Sequence, residues 1–290
     1  MKKIIFIVLA ITLVSCVKQK QQAEITIAGI DDDQKETIQK AKNIFYNMYL
    51  PSEMYKVFDK VGASYDADML NAIENVNNYT TNGKAALNLG IYGVDLTYNK
   101  MFEQSQKTLL YLTVIHKLSL QLGIPDEKFA YALKRIHKNI NNRDSLTFYA
   151  SDIYVNINTY LSNNDRQSVA VTVLAGGWIE ALYIATEISK SHVDNREIFE
   201  RIIVQKYSLK YLITLLKTYQ SEISVAELLK KFQELKLLFD NIDLDYNSQN
   251  ISIDSLNRDV NAKKLKINAS QEEIDSLYTK IREIRSSVVN

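Results

Sequence analysis

The sequence has few of the residues on which most binding and catalytic sites depend. Its 290 residues contain one cysteine and three histidines. His116, His137 and His192 lie on or beside different predicted helices. A structural zinc site needs about four clustered Cys or His ligands, so we expect no metal. No glycine-rich phosphate loop and no Gly-x-Ser-x-Gly motif occurs, so we expect no nucleotide cofactor and no serine hydrolase centre.

Proline and glycine are also scarce, with two prolines and eight glycines. Both residues interrupt helices, so their scarcity favours long helices and little sheet. The formal net charge is +1, and acidic and basic residues are interspersed along the chain. Because such a chain has no strongly basic surface, we expect no nucleic-acid partner.

The single cysteine ends a short N-terminal motif. Two lysines precede an apolar run at 4–13, and the small residue Ser15 is followed by Cys16. An apolar run of about ten residues is shorter than the roughly 20 that a membrane-spanning helix needs. The pattern predicts a bacterial lipoprotein signal at 1–15, cleaved so that the Cys16 thiol is acylated. The alternative is an ordinary secretory signal whose last residue happens to be cysteine.

The residues after the cysteine indicate where the protein is anchored. We expect 16–32 to form a flexible tether, because 17–24 is polar and rich in Gln and Lys. Val17, rather than an acidic residue, follows the cysteine, which indicates the outer membrane. No acidic cluster follows directly, which favours the periplasmic face over the cell surface. The sequence thus predicts a lipid-anchored protein of a bacterial cell envelope.

Hydrophobic periodicity and helix-start signals predict an all-α fold of about nine helices. They divide the chain into a helical body at 33–222 and a C-terminal unit at 223–290. We expect the body to be a bundle or a short repeat-like stack. The predicted helices include segments at about 33–48, 64–79, 125–141, 145–162, 194–219 and 252–290.

The body shows signs of an internal duplication. The segment 76–82 resembles 157–163 in sequence, and a glycine-bearing helix follows each segment. This order predicts two related three-helix units, at 64–122 and 145–219, that stack on each other. The alternative is chance similarity among helices rich in Tyr and Leu. In the predicted units, the glycines that would allow two helices to cross closely are Gly90, Gly93, Gly176 and Gly177.

The C-terminal unit has a heptad pattern. Apolar residues alternate in steps of four and three from 256 to 288, with polar interruptions at Lys263 and Ser270. This spacing predicts either a coiled coil or an antiparallel hairpin with the helix at 225–241. The short connector favours the hairpin, and a partner helix or self-association stays open. The positions of the seam are Leu256, Val260, Lys263, Ile267, Ser270, Ile274, Leu277, Ile281, Ile284 and Val288.

The two glycine-bearing helices carry the candidate ligand site. Asp95 lies near Tyr92 and Tyr98 on the first helix, and Glu180 lies near Trp178 on the second. Carboxylates and aromatic residues on facing helices are typical of ligand pockets in helical bundles. The alternative is that both carboxylates are exposed or bonded to tyrosine hydroxyls, while the glycines only permit close approach. No residue is assigned a catalytic role.

One block resembles a known group of proteins. Leu89-Gly-Ile-Tyr-Gly-Val-Asp-Leu-Thr-Tyr98 is followed by Phe102-Glu-Gln-Ser-Gln106 and Leu109-Leu-Tyr-Leu112. Together with the signal, it resembles the uncharacterised all-helical lipoproteins of Bacteroidota envelopes. The resemblance implies an envelope lipoprotein and transfers no catalytic residue.

These features favour a non-enzymatic, lipid-anchored interaction or scaffold module. Its membrane contact is the lipid on Cys16, and the C-terminal helix is the predicted contact for an envelope protein. The alternative is a periplasmic receptor for a small ligand, with a pocket between the glycine-bearing helices. An envelope enzyme is the third hypothesis.

Overall fold

The computed structural model describes residues 51–127, 166–192, 196–245, 251–254, 259–262 and 266–290, with a few single residues between 128 and 165. The all-α class is confirmed. Eight α-helices occur in the described residues, against the predicted nine for the whole chain. They are α1 (Pro51–Lys60), α2 (Asn82–Met101), α3 (Ser105–Gln121), α4 (Gln167–Ser191), α5 (Arg196–Ile203), α6 (Gln205–Thr218), α7 (Ile223–Asn241) and α8 (Gln271–Val289).

Some sequence predictions lie outside the described residues. These are the lipoprotein signal with Cys16, the tether, and the predicted helix at 33–48. The predicted helices at 125–141 and 145–162 also fall almost entirely outside them.

Helix α4 lies at the centre of the body. It is the one described helix that is long and apolar enough to cross a membrane, with a mean hydropathy of 1.6 over an 18-residue window. However, 78% of that window is buried inside the protein. The apolar side chains of α4 are therefore buried against the other helices, and α4 is the core helix around which they pack.

Helices α2 and α4 cross with their backbones in contact. A Cβ atom on Gly90 would lie 2.0 Å from the carbonyl oxygen of Val173, and one on Gly176 would lie 1.9 Å from that of Leu87. Only glycine permits this approach, so the predicted close crossing is confirmed at Gly90 and Gly176. The proposed duplication remains a prediction, because most of 145–165, the first part of the second unit, lies outside the described residues.

The segment 64–79, which we call the strap, was expected to be one helix, and that prediction is wrong. It forms two short 3₁₀ helices instead, Ala67–Met69 and Ile73–Asn78. Asp66 accepts a hydrogen bond from the backbone N–H of Asp68 and starts the first of them. Asp and Asn side chains compete for backbone groups in this way, which weakens a continuous helix. The strap backbone forms hydrogen bonds with side chains of the body instead.

The helix predicted at 194–219 is divided into α5 and α6 at Val204. The Tyr207 N–H donates to the Val204 carbonyl at 3.2 Å, three residues earlier. This is the tighter bonding of a 3₁₀ turn. Val204 itself keeps helical backbone angles, so one tight turn separates two helices that the sequence pattern joined.

The helix predicted at 252–290 begins much later than expected. Four short strands come before it, and they form two antiparallel pairs. Ile251–Asp254 (β2) pairs with Asp259–Ala262 (β3), and Asp243–Asp245 (β1) pairs with Lys266–Asn268 (β4). The segment is rich in Asp and Asn and in β-branched residues, which favour turns and strands over helix. The prediction of one helix with a heptad seam from 252 onwards is therefore wrong before Gln271, where the described residues form strands.

Helix α8 keeps the second half of the seam and buries it within the chain. Its N-terminus is a capping box, in which Ser270 and Glu273 bond each other's backbone N–H groups. Its buried side face packs on α4 and α7. Lys280 contacts Glu234 and Lys231 contacts Ser287, so α7 and α8 run antiparallel. The buried seam residues are Leu277, Ile281, Ile284 and Val288.

Candidate functional site

Three ionisable side chains meet in the interior, and we call them the ion cluster: Asp95 of α2, Glu180 of α4 and Arg285 of α8. Both acidic residues are 0% exposed, and the Arg285 side chain is 11% exposed. The Nε and Nη2 atoms of Arg285 donate to Glu180 Oε2 and Oε1 at 2.9 and 3.0 Å. This two-pronged geometry is the strongest form of a carboxylate–guanidinium pair.

Arg285 also joins the strap to the body. Its Nη2 donates to the Met69 carbonyl at 3.1 Å, and its guanidinium lies 4.7 Å from the centre of the Tyr183 ring. The cation and the aromatic face attract each other in this position. One side chain of α8 thus contacts α4 twice and the strap once.

Among the described residues, a hydrogen-bond donor is found for one of the two carboxyl oxygens of Asp95. Its Oδ2 accepts a hydrogen bond from the Asn71 N–H at 3.1 Å, and its Oδ1 has no hydrogen-bond donor in the described part of the chain. Burial, and then the negative charge of Glu180, raise the pKa of Asp95, while Arg285 opposes them. Burial disfavours the charged form of any carboxyl, and a like charge nearby adds to that effect.

Tyrosine hydroxyls hold the backbone of the strap. Tyr92 donates to the Ala72 carbonyl at 2.8 Å, and Tyr111 donates to the Asn71 carbonyl at 2.9 Å. The Tyr98 hydroxyl accepts from the Asp66 N–H at 3.1 Å. Burial raises the pKa of Tyr98 to about 12, and it also raises the pKa values of Tyr92 and Tyr111. These tyrosines are therefore neutral at ordinary pH.

A second set of polar side chains donates hydrogen bonds to the last carbonyl groups of α8. The Tyr79 hydroxyl donates to the Val289 carbonyl at 3.0 Å, and Asn88 Nδ2 donates to the Val288 carbonyl at 3.1 Å. The last carbonyls of a helix have no partner within it and need such donors. Asn71 connects these two residues. Its Nδ2 donates to the Tyr79 hydroxyl at 2.9 Å and to Asn88 Oδ1 at 3.1 Å.

The structure brings together only some of the predicted pocket residues. Asp95 and Glu180 converge, and they are neither exposed nor bonded to tyrosine hydroxyls. Tyr92 and Tyr98 point to the strap. Trp178 packs against Phe232, with ring centres 5.4 Å apart, and its Nε1 has no hydrogen-bond partner in the described residues. All five predicted residues are at most 2% exposed. A ligand pocket among them remains a prediction.

Sequence reasoning missed Arg285, although a signal was present. Tyr278, Ile281, Arg285 and Val289 follow one another at helical spacing, and the three neighbours of Arg285 are buried. A lone cation within a buried stripe implies an internal anion. The heptad assignment placed Arg285 beside the seam instead, and thereby hid this pattern.

A surface groove borders the strap. It has a volume of about 350 Å³, and Leu110 at its edge is 44% exposed. The groove is separated from the ion cluster by the strap, since Leu70 and Ala72 line it. In the described residues, no group of three or more His, Cys, Asp or Glu side chains is placed to hold a metal ion.

Comparisons with protein-family models, with curated proteins and with solved structures find no match to this chain. The chemistry of the site must therefore be judged from its geometry. Its polar groups are buried and bonded mostly to one another or to backbone, and this arrangement can hold α2, α4, α8 and the strap together.

Proposed function

We propose that the chain is a lipid-anchored lipoprotein of the bacterial envelope whose helical body is a non-enzymatic interaction or scaffold module. The observation that carries the proposal is the N-terminal pattern of two lysines, an apolar run at 4–13, and Ser15-Cys16. Acyl chains on Cys16 would anchor the protein, since each buried CH₂ group contributes about 0.8 kcal/mol.

The ion cluster supports a structural role for its buried ionisable side chains. Among the residues whose burial is described, Asp95 and Glu180 are the acidic ones with no exposed surface, and catalysis would require a substrate to reach them. Glu180 is occupied by Arg285 through both oxygens. This use of charge to join helices favours a scaffold over an enzyme.

The outward face of α8 is the surface we propose for an envelope partner. The inward face is occupied by α4 and α7, which leaves the exposed side chains for binding. Glu272, Asp275 and Glu283 line a shallow groove of about 600 Å³ beside Leu238 of α7. A partner at this surface would contact the folded hairpin rather than a free coiled-coil strand.

The anchoring proposal is tested by changing Cys16→Ala in the full-length chain. We expect labelling with a palmitate analogue to be abolished and the protein to move from the membrane fraction to the soluble fraction, because the acylated thiol is absent. Ser15→Ala is the matched control, since it keeps a small residue before the cysteine and should leave labelling intact. Undiminished membrane retention of the Cys16→Ala chain would contradict the proposal.

A small-ligand receptor is the second candidate, and the groove beside the strap favours it. Leu70, Ile73 and Leu110 give the groove an apolar wall, while Tyr111 joins it to the strap by its bond to Asn71. Native mass spectrometry of the protein purified from its membrane would detect a bound small molecule. Leu110→Asp should remove that species if the groove holds it.

A further inference from the structure

The ion cluster contains two acids and one base. Arg285 gives two hydrogen bonds to Glu180, so Glu180 is the ionised partner of the guanidinium. If Asp95 were ionised as well, the cluster would carry a net charge of −1 where both carboxyls are 0% exposed. An unpaired charge in such a place is strongly unfavourable, and buried groups normally become neutral instead.

In the described part of the chain, no second positive charge acts on Asp95. The ionisable groups that interact with it are Glu180 from α4, Arg285 from α8, Tyr111 from α3, Tyr92 from α2, and Tyr65 and Tyr79 from the strap. Arg285 is the one cation among these described neighbours. The tyrosines are neutral when protonated and add no compensation.

The hydrogen bonds of Asp95 also fit a protonated carboxyl. Oδ2 accepts from the Asn71 N–H, which leaves Oδ1 without a donor in the described residues. The negative charge of Glu180 acts on the Asp95 carboxyl within the ion cluster. An ionised Oδ1 can only accept a hydrogen bond, whereas a protonated Oδ1 carries a hydrogen that it can donate.

We propose that Asp95 holds a proton in the folded chain and uses this O–H to donate a hydrogen bond to Glu180, and that the proton makes the closure of the strap over the ion cluster dependent on pH. Loss of the proton would place two negative charges against each other. The strap covers Asp95 through Asn71, and Arg285 bonds it through Met69. Opening the strap would admit the water that the second charge requires.

The sign of the pH effect follows from the raised pKa of Asp95. Below the pKa of an unfolded Asp, about 3.9, both states carry the proton and the full stability is present. Between that pH and the higher pKa of the folded state, the folded chain binds one proton more than the unfolded chain. The equilibrium constant for folding therefore falls by about tenfold for each pH unit in this window. Above the pKa of the folded state the effect levels off.

The first test locates the proton by infrared spectroscopy of the full chain in D₂O near neutral pH. We expect the C=O stretching band of a protonated carboxylic acid, which carboxylates lack. Asp95→Asn should remove the band, and its amide can still donate to Glu180. Asp59→Asn, an exposed acid on α1, is the control and should keep it. A wild-type protein without the band, or a band that survives Asp95→Asn, would overturn the proposal.

A second variant asks whether Glu180 keeps the proton on Asp95. With Glu180→Gln, Arg285 loses its carboxylate partner, so Asp95 becomes the acidic residue of the ion cluster that can pair with it. We therefore expect Asp95 to ionise and the band to vanish. A band that persists in this variant would show that Glu180 does not set the protonation of Asp95.

The closure itself is tested by amide hydrogen exchange of peptides from the strap. After correction for the intrinsic rate, we expect wild-type protection to fall by up to about tenfold per pH unit between about pH 3.9 and the pKa of Asp95 in the folded chain. Protection in Asp95→Asn should stay constant, while Asp59→Asn should follow the wild type. If Asp95→Asn does not fold, the wild-type series still decides, because pH-independent protection of the strap would overturn the proposal.

Discussion

Helices α2 and α4 contact each other in two different ways within a short distance along each helix. At Gly90 and Gly176 their backbones touch, and these two helices alone create the contact. About one turn further, Asp95 and Glu180 meet in the ion cluster, which also requires Arg285 from α8 and the backbone of the strap. The first contact depends on the absence of side chains, and the second depends on a balance of charge.

This difference teaches how the two contacts respond to change. The glycine crossing rejects any added atom, because the neighbouring atoms are backbone carbonyls that cannot move aside. The ion cluster tolerates a change of shape more readily than a change of charge, since one unpaired ion in the interior is costly. Substitutions at the two places therefore separate a steric contact from an electrostatic one.

The largest effect is expected at Arg285. Arg285→Met keeps much of the side-chain volume but leaves Glu180 buried without a cation, which should lower the free energy of unfolding by about 3–5 kcal/mol. Urea unfolding followed by circular dichroism measures the loss. Adding Glu180→Leu should restore part of the stability, because the unpaired charge is then absent. If the losses of stability in Arg285→Met and in Glu180→Leu alone sum to the loss in the double variant, the ion pair is not the source of the effect.

The glycine crossing should respond less strongly. In Gly90→Ala the new methyl group would overlap the Val173 carbonyl, at 2.0 Å from its oxygen. The overlap should outweigh the roughly 1 kcal/mol that alanine gains over glycine in a helix, for a net loss of about 1–3 kcal/mol. Thr113→Ala, at an exposed site on α3, is the control and should change stability little. An unchanged urea midpoint for Gly90→Ala would argue against backbone contact at the crossing.

The smallest effect is expected at the end of α8. Tyr79→Phe removes the donor to the Val289 carbonyl and leaves the ring in place, so we expect a loss of about 1–2 kcal/mol. Tyr219→Phe provides a comparison at a half-buried tyrosine at the end of α6. Thermal unfolding of the two variants in parallel distinguishes a buried hydrogen bond from the general effect of losing a hydroxyl. Equal midpoints would show that the bond to α8 contributes nothing.

The sequence was sufficient for the parts of the fold that local pattern controls. Scarce proline and glycine predicted the helices, and the paired glycines predicted the close crossing of α2 with α4. The convergence of Asp95 and Glu180 followed from their equivalent places after those glycines. These contacts need only two neighbouring helices, so spacing along the chain was enough.

The remainder depends on contacts between distant parts of the chain. The strap has helical periodicity, but the backbone of Asn71 bonds to Asp95 and Tyr111 instead of continuing a helix. Val260 and Ile267 fit the heptad, yet they belong to different strands. A spacing of seven residues shows that apolar side chains recur, but it does not determine whether they lie on a helix or on strands. Arg285 could not be paired before its helix was placed.

The position of Arg285 along the chain also has a consequence for the order of folding. It lies 105 residues after Glu180 and 216 residues after Met69, so its contacts close very long loops and raise the contact order. Helices α2, α3 and α4 can associate while the chain is still being synthesised. The ion cluster can be completed only after residue 285 has emerged, and until then two acidic side chains lie at the centre of the nascent body without their cation.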